Sequence, residues 1–176
     1  SQSALRMLSV STHLSNGEYA AFYEKARYAD QFGSTITALL DETGQLVLTT
    51  SVPYGTPLPP TDAGERVARV LESNQSQVSN LLRTSVARRE MAVVDVPVTT
   101  KSGRRYVLSQ GYDISHFKRV LRQVATPPGW LIGVFDRNGM VIAQTGGSFP
   151  ATLREAIGSK HTGVIRTEGD GSGGAV

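Results

Sequence analysis

The sequence contains no cysteine, which excludes a disulfide framework, a thiol nucleophile and a cysteine metal site, and says nothing about the redox state of its compartment. Histidine is scarce too. His13, His116 and His161 stand alone, without the i, i+4 spacing that lets two imidazoles meet one ion, so no metal is expected. Long apolar runs are missing: the longest, around 130–135 and 91–98, fall far short of the about 18 residues a membrane helix needs. No signal peptide opens the chain. Its first residue is Ser1 and not methionine, so the expectation is a segment cut from a longer polypeptide. No phosphate-cradling Gly-x-x-x-x-Gly-Lys and no serine elbow occur.

The charge balance is mildly basic, with 18 Lys and Arg against 15 Asp and Glu, net +3. Arg83, Arg88 and Arg89, then Lys101, Arg104 and Arg105, then Lys118, Arg119 and Arg122 form small clusters. A nucleic-acid surface needs such charges on one face with aromatics between them. Here Arg104 and Arg105 flank a hairpin turn, and Lys118, Arg119 and Arg122 make the wet face of a helix, so no nucleic-acid partner is expected.

What the sequence does have is a repeat. Residues 34–50, Ser-Thr-Ile-Thr-Ala-Leu-Leu-Asp-Glu-Thr-Gly-Gln-Leu-Val-Leu-Thr-Thr, return in pattern as 129–145. The copies share Asp41 with Asp136, Gly44 with Gly139 and Thr50 with Thr145, and apolar residues match at most other places. Each is an apolar run, Asp-x-x-Gly, and a second apolar run, which predicts a β-hairpin. The two aspartates are therefore expected in turn chemistry and not as catalytic acids.

Around the repeat, Ala4 to Val10 reads as the tail of a helix. Ser15-Asn-Gly-Glu18 fits a capping box opening a second helix with Tyr19, Phe22, Tyr23, Ala26 and Ala29 on one face and Gly33 as its stop. The stretch 53–60, with four prolines, predicts a surface loop. Asp62 to Glu65 can cap a short helix carrying Val67, Val70 and Leu71; 78–82 reads as a strand; 91–98 and 104–111 read as a long antiparallel pair, with Pro97 at a strand end or edge. Asp113 should cap a helix with Ile114, Phe117, Val120, Leu121 and Val124 on one face, stopped before Pro127-Pro128. The fold class expected is α+β: an N-terminal helical segment (1–33), a PAS-like five-stranded antiparallel sheet with flanking helices (34–113), a connecting helix and linker (114–128), and a second, incomplete PAS-like unit (129–176). In that second unit 153–157 predicts a short helix and 163–167 a strand.

Catalytic residues are not expected. Gly169-Asp-Gly-Ser-Gly-Gly174 superficially resembles the nucleophile region of trypsin-like proteases, but an extra glycine separates Asp170 from Ser172, no proline follows, and no protease barrel is expected around it. No helix follows it either, as a dinucleotide fingerprint requires. For ligand binding the candidates are Asp95, a carboxylate inside the apolar run 92–97, with Tyr106 and Tyr112, on one side of the neighbouring strand by the two-residue period, and Tyr54 from the proline loop, which together could line a cleft.

The succession Leu5-Arg-Met-Leu8, Gly17-Glu-Tyr-Ala-Ala-Phe-Tyr23, Leu40-Asp-Glu-Thr-Gly-Gln-Leu-Val-Leu-Thr-Thr50, Gly55-Thr-Pro-Leu-Pro59, Val78-Ser79, Val93-Val-Asp-Val-Pro-Val98 and Pro128-Gly-Trp130 resembles the extracytoplasmic double Cache sensor domains of bacterial sensor histidine kinases. The resemblance implies a periplasmic sensor on a membrane-anchored parent, a homodimer through the N-terminal helix, a small-molecule ligand, no cofactor, and a kinase output lying outside this chain. The same module on a chemoreceptor or a cyclic dinucleotide synthase is the alternative, followed by a ligand-free dimerisation module and a hydrolase using Ser172. Cache domains that bind amino acids commonly show an Arg-x-Trp-Tyr run. Trp130 is the sole tryptophan here and no such run exists, so amino-acid sensing is not expected.

Overall fold

The computed structural model describes residues 2–31, 35–125 and 130–149. Gly33, Pro127-Pro128, the helix and strand expected at 153–157 and 163–167, His161 and the Ser172 segment lie outside them. Three helices open the chain: α1 Gln2–Ser9, α2 Thr12–Asn16 and α3 Tyr19–Asp30. Helix α3 buries the expected face, with Phe22, Tyr23 and Ala26 nearly inaccessible. Its entry differs from the expected capping box. Gly17 takes φ 77° and ends α2, its amide donating to Leu14 O while the Glu18 amide donates to His13 O. That is a Schellman stop, which only a residue tolerant of positive φ makes cheaply. Ser15 therefore lies inside α2, and the Glu18 carboxylate is taken up by His13 Nδ1 at 2.5 Å and Asn16 at 3.1 Å.

The repeat is real at the level of single hydrogen bonds. Strands β1 Thr35–Asp41 and β2 Leu46–Thr49 form the first hairpin, β7 Gly133–Phe135 and β8 Val141–Gln144 the second. In the first, Asp41 Oδ1 accepts from the Thr43 and Gln45 amides; in the second, Asp136 Oδ1 accepts from Asn138 and Met140. Gly44 and Gly139 sit at φ 87° and 75°. Thr50 and Thr145 close the open ends identically, each hydroxyl accepting an amide (Thr37, Ile132) and each amide donating back to the same residue's carbonyl. Both hairpins shift register at the same place, after Leu39 and after Val134. The three letters that the copies share are those whose polar atoms build the turn and its closure.

Helix α4, Gly64–Ser73, follows the proline loop, and then come β3 Gln77–Val78, β4 Leu82–Arg83, β5 Glu90–Thr99 and β6 Arg105–Asp113. The strands make an antiparallel sheet in the order β2-β1-β6-β5-β3, with β4 also on β5. The expected strand at 78–82 is thus two short pieces in one sheet position. The ladder breaks after Ser79, whose amide still donates to Val93 O and whose hydroxyl accepts the Val93 amide at 2.9 Å, because the second hairpin takes Asn80 and Leu81. Pro97 pairs with Val107 beyond the reach of β3, where β5 has become an edge.

The sheet is covered on both faces. On one, Leu5, Leu8, Leu14, Phe22, Tyr23 and Ala26 of the three helices pack on Leu39, Leu48, Val98, Tyr106 and Leu108. On the other, Val67, Val70 and Leu71 of α4 pack on Leu40 and Val107; burying side chains of this size stabilises by about 1.5–3 kcal/mol each. Asp62 does not cap α4. Ala63 is its N-cap, and Thr61 instead takes the Ala63 amide while donating to Gly44 O. Asp113 does cap α5, Ile114–Arg122, accepting from the Ser115 amide at 2.8 Å. Leu121 is buried on α5, which packs on β8, while Val120 and Val124 stay exposed.

Gly44 combines a positive φ with a backbone close approach, a Cβ there falling 2.6 Å from Gly64 N. Gly55, at φ 85°, has nothing within 4 Å. Urea denaturation should show Gly55→Ala costing about 1–2 kcal/mol, the left-handed strain alone, and Gly44→Ala about 3 kcal/mol or more, because α4 must also move. Equal losses would contradict the close approach.

Burial raises the Asp41 carboxyl, but the hydrogens of Thr43, Gln45 and Gly44 outweigh it and hold it below the ordinary aspartate range. Asp113 is lowered mainly by the Ser115 amide, against burial. A carboxyl lowered in the folded state stabilises above its unfolded pKa and loses that contribution as pH falls through the folded value. The urea midpoint should therefore drop on acidification through the aspartate range, and Asp41→Asn should flatten part of that drop while lowering the midpoint at neutral pH.

Candidate ligand cavity

Helix α4 covers one end of its sheet face and leaves the other open. There a cavity of about 370 Å³ remains, floored by Ile36, Ala38, Met91, Val93 and Gly111 and walled by Arg66 and the segment 82–87. The floor follows from strand parity. Ile36, Ala38 and Leu40 alternate with Thr37 and Leu39, which face the helices, and the register Ala38↔Ser109 and Asp95↔Ser109 brings the matching positions of β1, β6 and β5 to one face. A Cβ at Gly111 would lie 2.9 Å from Met91 Cε, the flexible end of that side chain, so Met91 packs directly over the glycine. Among the described residues no aromatic side chain lines the cavity.

One wall is ionic. Asp95 is 1% exposed; one carboxylate oxygen accepts from the Ser109 hydroxyl at 2.5 Å and the other pairs with Arg66 Nη1. Arg66 projects from α4 next to buried Val67, and its side chain, 19% exposed, lines both this cavity and a second one of about 270 Å³ beyond it, beside Gln77 and Arg137. A buried carboxylate of this kind is tolerable when paired and hydrogen-bonded, and it fixes the orientation of its partner. At the mouth stand Arg83, Arg88 and Asp62, all exposed, and Pro60 and Thr61.

Asp95 is thus the residue of the four expected ones that lies on the cavity face. Tyr106 and Tyr112 share a side as expected, but it is the helical side. Tyr106 OH meets Tyr19 OH at 2.6 Å, and burial, then this hydrogen bond, pushes the Tyr19 hydroxyl up to about 12. Tyr112 donates to Gln110 and stacks on His116 and Phe117 of α5. Tyr54 lies against Tyr23 with ring centres 5.5 Å apart. The tyrosines join helices to the sheet and do not meet Asp95. Sequence reading missed Arg66 and Ser109. Thr99 pairing with Arg105 across the 100–104 turn sets Asp95 opposite Ser109 and away from both tyrosines, and that hairpin closure was the available signal. Among the described residues no three His, Asp or Glu side chains could hold a metal, and no helix is long and apolar enough to cross a membrane.

A third polar cluster lies under α3. Asp30, buried at the helix end, accepts from the Thr35 and Thr50 hydroxyls at 2.6 Å and from both the amide and the hydroxyl of Thr37. It ties the helix to the open end of the first hairpin, away from its turn.

No protein-family model and no curated protein matches this sequence. Solved structures do. An extracellular ligand-binding receptor from Desulfohalobium retbaense has a TM-score of 0.60 at 18% identity, over 92% of this chain and 31% of its own. The sensory domain of the Campylobacter jejuni chemoreceptor Tlp3, with isoleucine bound, gives 0.55 at 11%, over 81% and 59%. The sensor domain of the Vibrio cholerae histidine kinase DctB gives 0.51 at 13%, over 84% and 61%. The fold is therefore that of PAS-like extracellular sensor domains, as the sequence resemblance implied, and this chain spans less than two thirds of each of these three structures.

Removing one partner of a buried ion pair leaves the other charge unsatisfied. Arg66→Met should cost about 2 kcal/mol in urea denaturation, less than for a fully buried pair because water reaches the cavity. Adding Asp95→Asn should recover most of that loss. Additive losses in the double-mutant cycle would show that the two side chains do not interact.

Proposed function

We propose that this chain is the extracytoplasmic, periplasmic signal-sensing domain of a membrane-anchored receptor, and that a small molecule occupies the cavity beside Arg66. The cavity carries the reading: it is concave, apolar at its floor and edged by a few oriented polar groups, the composition typical of small-molecule sites. The shared fold supports it, because its structural neighbours include sensor and ligand-binding domains. Residues 34–113 form the membrane-distal unit and 129–176 the proximal one, joined by 114–128 and preceded by the helical segment 1–33. The parent is a sensor histidine kinase on the sequence resemblance; a chemoreceptor is the second reading, favoured by the likeness to Tlp3. Dimerisation through the N-terminal helices is supported by Met7 on α1 and Val10 in the turn after it, 62% and 79% exposed.

Signalling requires a ligand to favour one of two arrangements. The cavity wall 82–87 begins directly after Leu81, whose amide is held by Asp136 at 3.3 Å, while Arg137 bonds Asn80 and Val78 O. Displacement of that wall is felt by the second hairpin.

A metabolite screen by thermal melting tests the proposal. A compound at about a hundredfold its Kd should add about 2.7 kcal/mol of stability, raising the melting temperature by several degrees. Ala38→Phe, which fills the cavity floor, should abolish the shift while the unliganded variant still melts cooperatively. A shift that survives this substitution places the ligand elsewhere.

A further inference from the structure

The chemistry of the cavity restricts its ligand. Arg66 spends one N–H on Asp95, and its other donors have no protein acceptor among the described residues. Its guanidinium is held in place by a carboxylate that is itself held by Ser109, so orienting it for a ligand carries little entropic cost. Arg83, at the mouth, makes no ion pair among the described residues. A cationic ligand finds no comparable reception. Both Asp95 oxygens are engaged, Asp62 is exposed to solvent at the rim, and among the described residues no aromatic ring lines the cavity to accept an ammonium. Ile36, Ala38, Met91 and Val93 offer hydrocarbon and no hydrogen bonds, which favours an apolar body on the ligand, while hydroxyls such as those of Thr49 and Thr84 line the walls.

Resting on the proposed sensing role of this same cavity, we infer that its ligand is a small monocarboxylate with an apolar body. The free N–H groups of Arg66 bind the carboxylate, Arg83 supplies the compensating positive charge that Asp95 removes from Arg66, and the hydrocarbon lies on the floor. An amine on the ligand contributes nothing. Carboxylate recognition by an oriented guanidinium is directional and charge-assisted, so the neutral amide of the same shape is rejected.

Calorimetry on the whole chain tests this with four compounds sharing one branched body: isocaproate, isocaproamide, leucine and isopentylamine. Isocaproate should bind, isocaproamide at least about tenfold more weakly, leucine no more tightly than isocaproate, and isopentylamine not at all. Arg66→Lys keeps a cation for Asp95 yet loses the planar fork, and should weaken isocaproate about tenfold or more. Arg83→Gln, on the surface, should weaken it without changing the melting temperature. Equal binding of acid and amide, tighter binding of leucine, binding of the amine, or no heat from isocaproate at millimolar concentration overturns the ligand class. The Ala38→Phe variant separates the two levels. Where it abolishes binding of the amide or amine, the cavity stands and the class falls; where it leaves isocaproate binding intact, the cavity itself is not the site.

Discussion

The two central strands, β1 and β6, carry apolar side chains on both faces, and a sheet of that kind must be covered twice. Three short helices cover one face with a continuous core from Leu5 to Leu108. The other face is left to α4, whose buried residues span Val67 to Leu71, barely more than one turn. A helix of ten residues is about 15 Å long, too short to cover a strand of ten residues at about 3.4 Å each. The uncovered floor around Ile36, Met91 and Val93 is closed by the short β4 and the loop after it, and the cavity is what they do not fill. A cavity here is a consequence of unequal coverage and needs no separate architectural element.

Polar atoms then hold the arrangement in register. Asp41 threads its own turn, Thr61 joins that turn to the start of α4, and Arg105 donates to Leu71 O at the end of the same helix. Helix α4 is thus fixed at both ends to the sheet it half covers, which keeps the cavity mouth from collapsing. Asp30 does the corresponding work on the opposite face, with the Thr35, Thr37 and Thr50 groups. Each such bond contributes only about 0.5–1.5 kcal/mol net, but leaving a buried carboxylate without it costs more, so these clusters specify geometry more than they add stability.

Much of this was legible in the sequence, and the reasons are local. The hairpins could be read because Asp and Gly at fixed spacing do one physical job twice, and α3 could be read from its three- and four-residue apolar spacing. The capping-box reading at Ser15 failed because Gly17 serves a helix end better than a helix start. The reading of 78–82 as one strand failed for a different reason: nothing in Asn80-Leu81 announces that its partners lie more than fifty residues away, at Asp136 and Arg137. The cleft reading placed Tyr106 and Tyr112 beside Asp95 because period alone says which residues of one strand agree, whereas facing across strands depends on register. Arg66 was hidden for a related cause. It flanks the apolar stripe of α4, where a charged residue ordinarily reaches for solvent, and only the position of Asp95 on the sheet turns it inward.

The interruption between β3 and β4 also explains why the second hairpin is more than a copy. Asp41 and Asp136 thread their turns alike, but Asp136 has a second oxygen in use, accepting the Leu81 amide, and Arg137 next to it reaches Val78 O. Three hydrogen bonds join the second turn to the edge of the first sheet, immediately before the wall of the cavity. At about 1 kcal/mol each, their making or breaking spans the 1–3 kcal/mol typical of coupling between sites. A sheet interior could not serve this purpose, since its ladder cannot open strand by strand without a far larger loss. An edge held by groups from the second hairpin can change state while the core on the helical face stays packed.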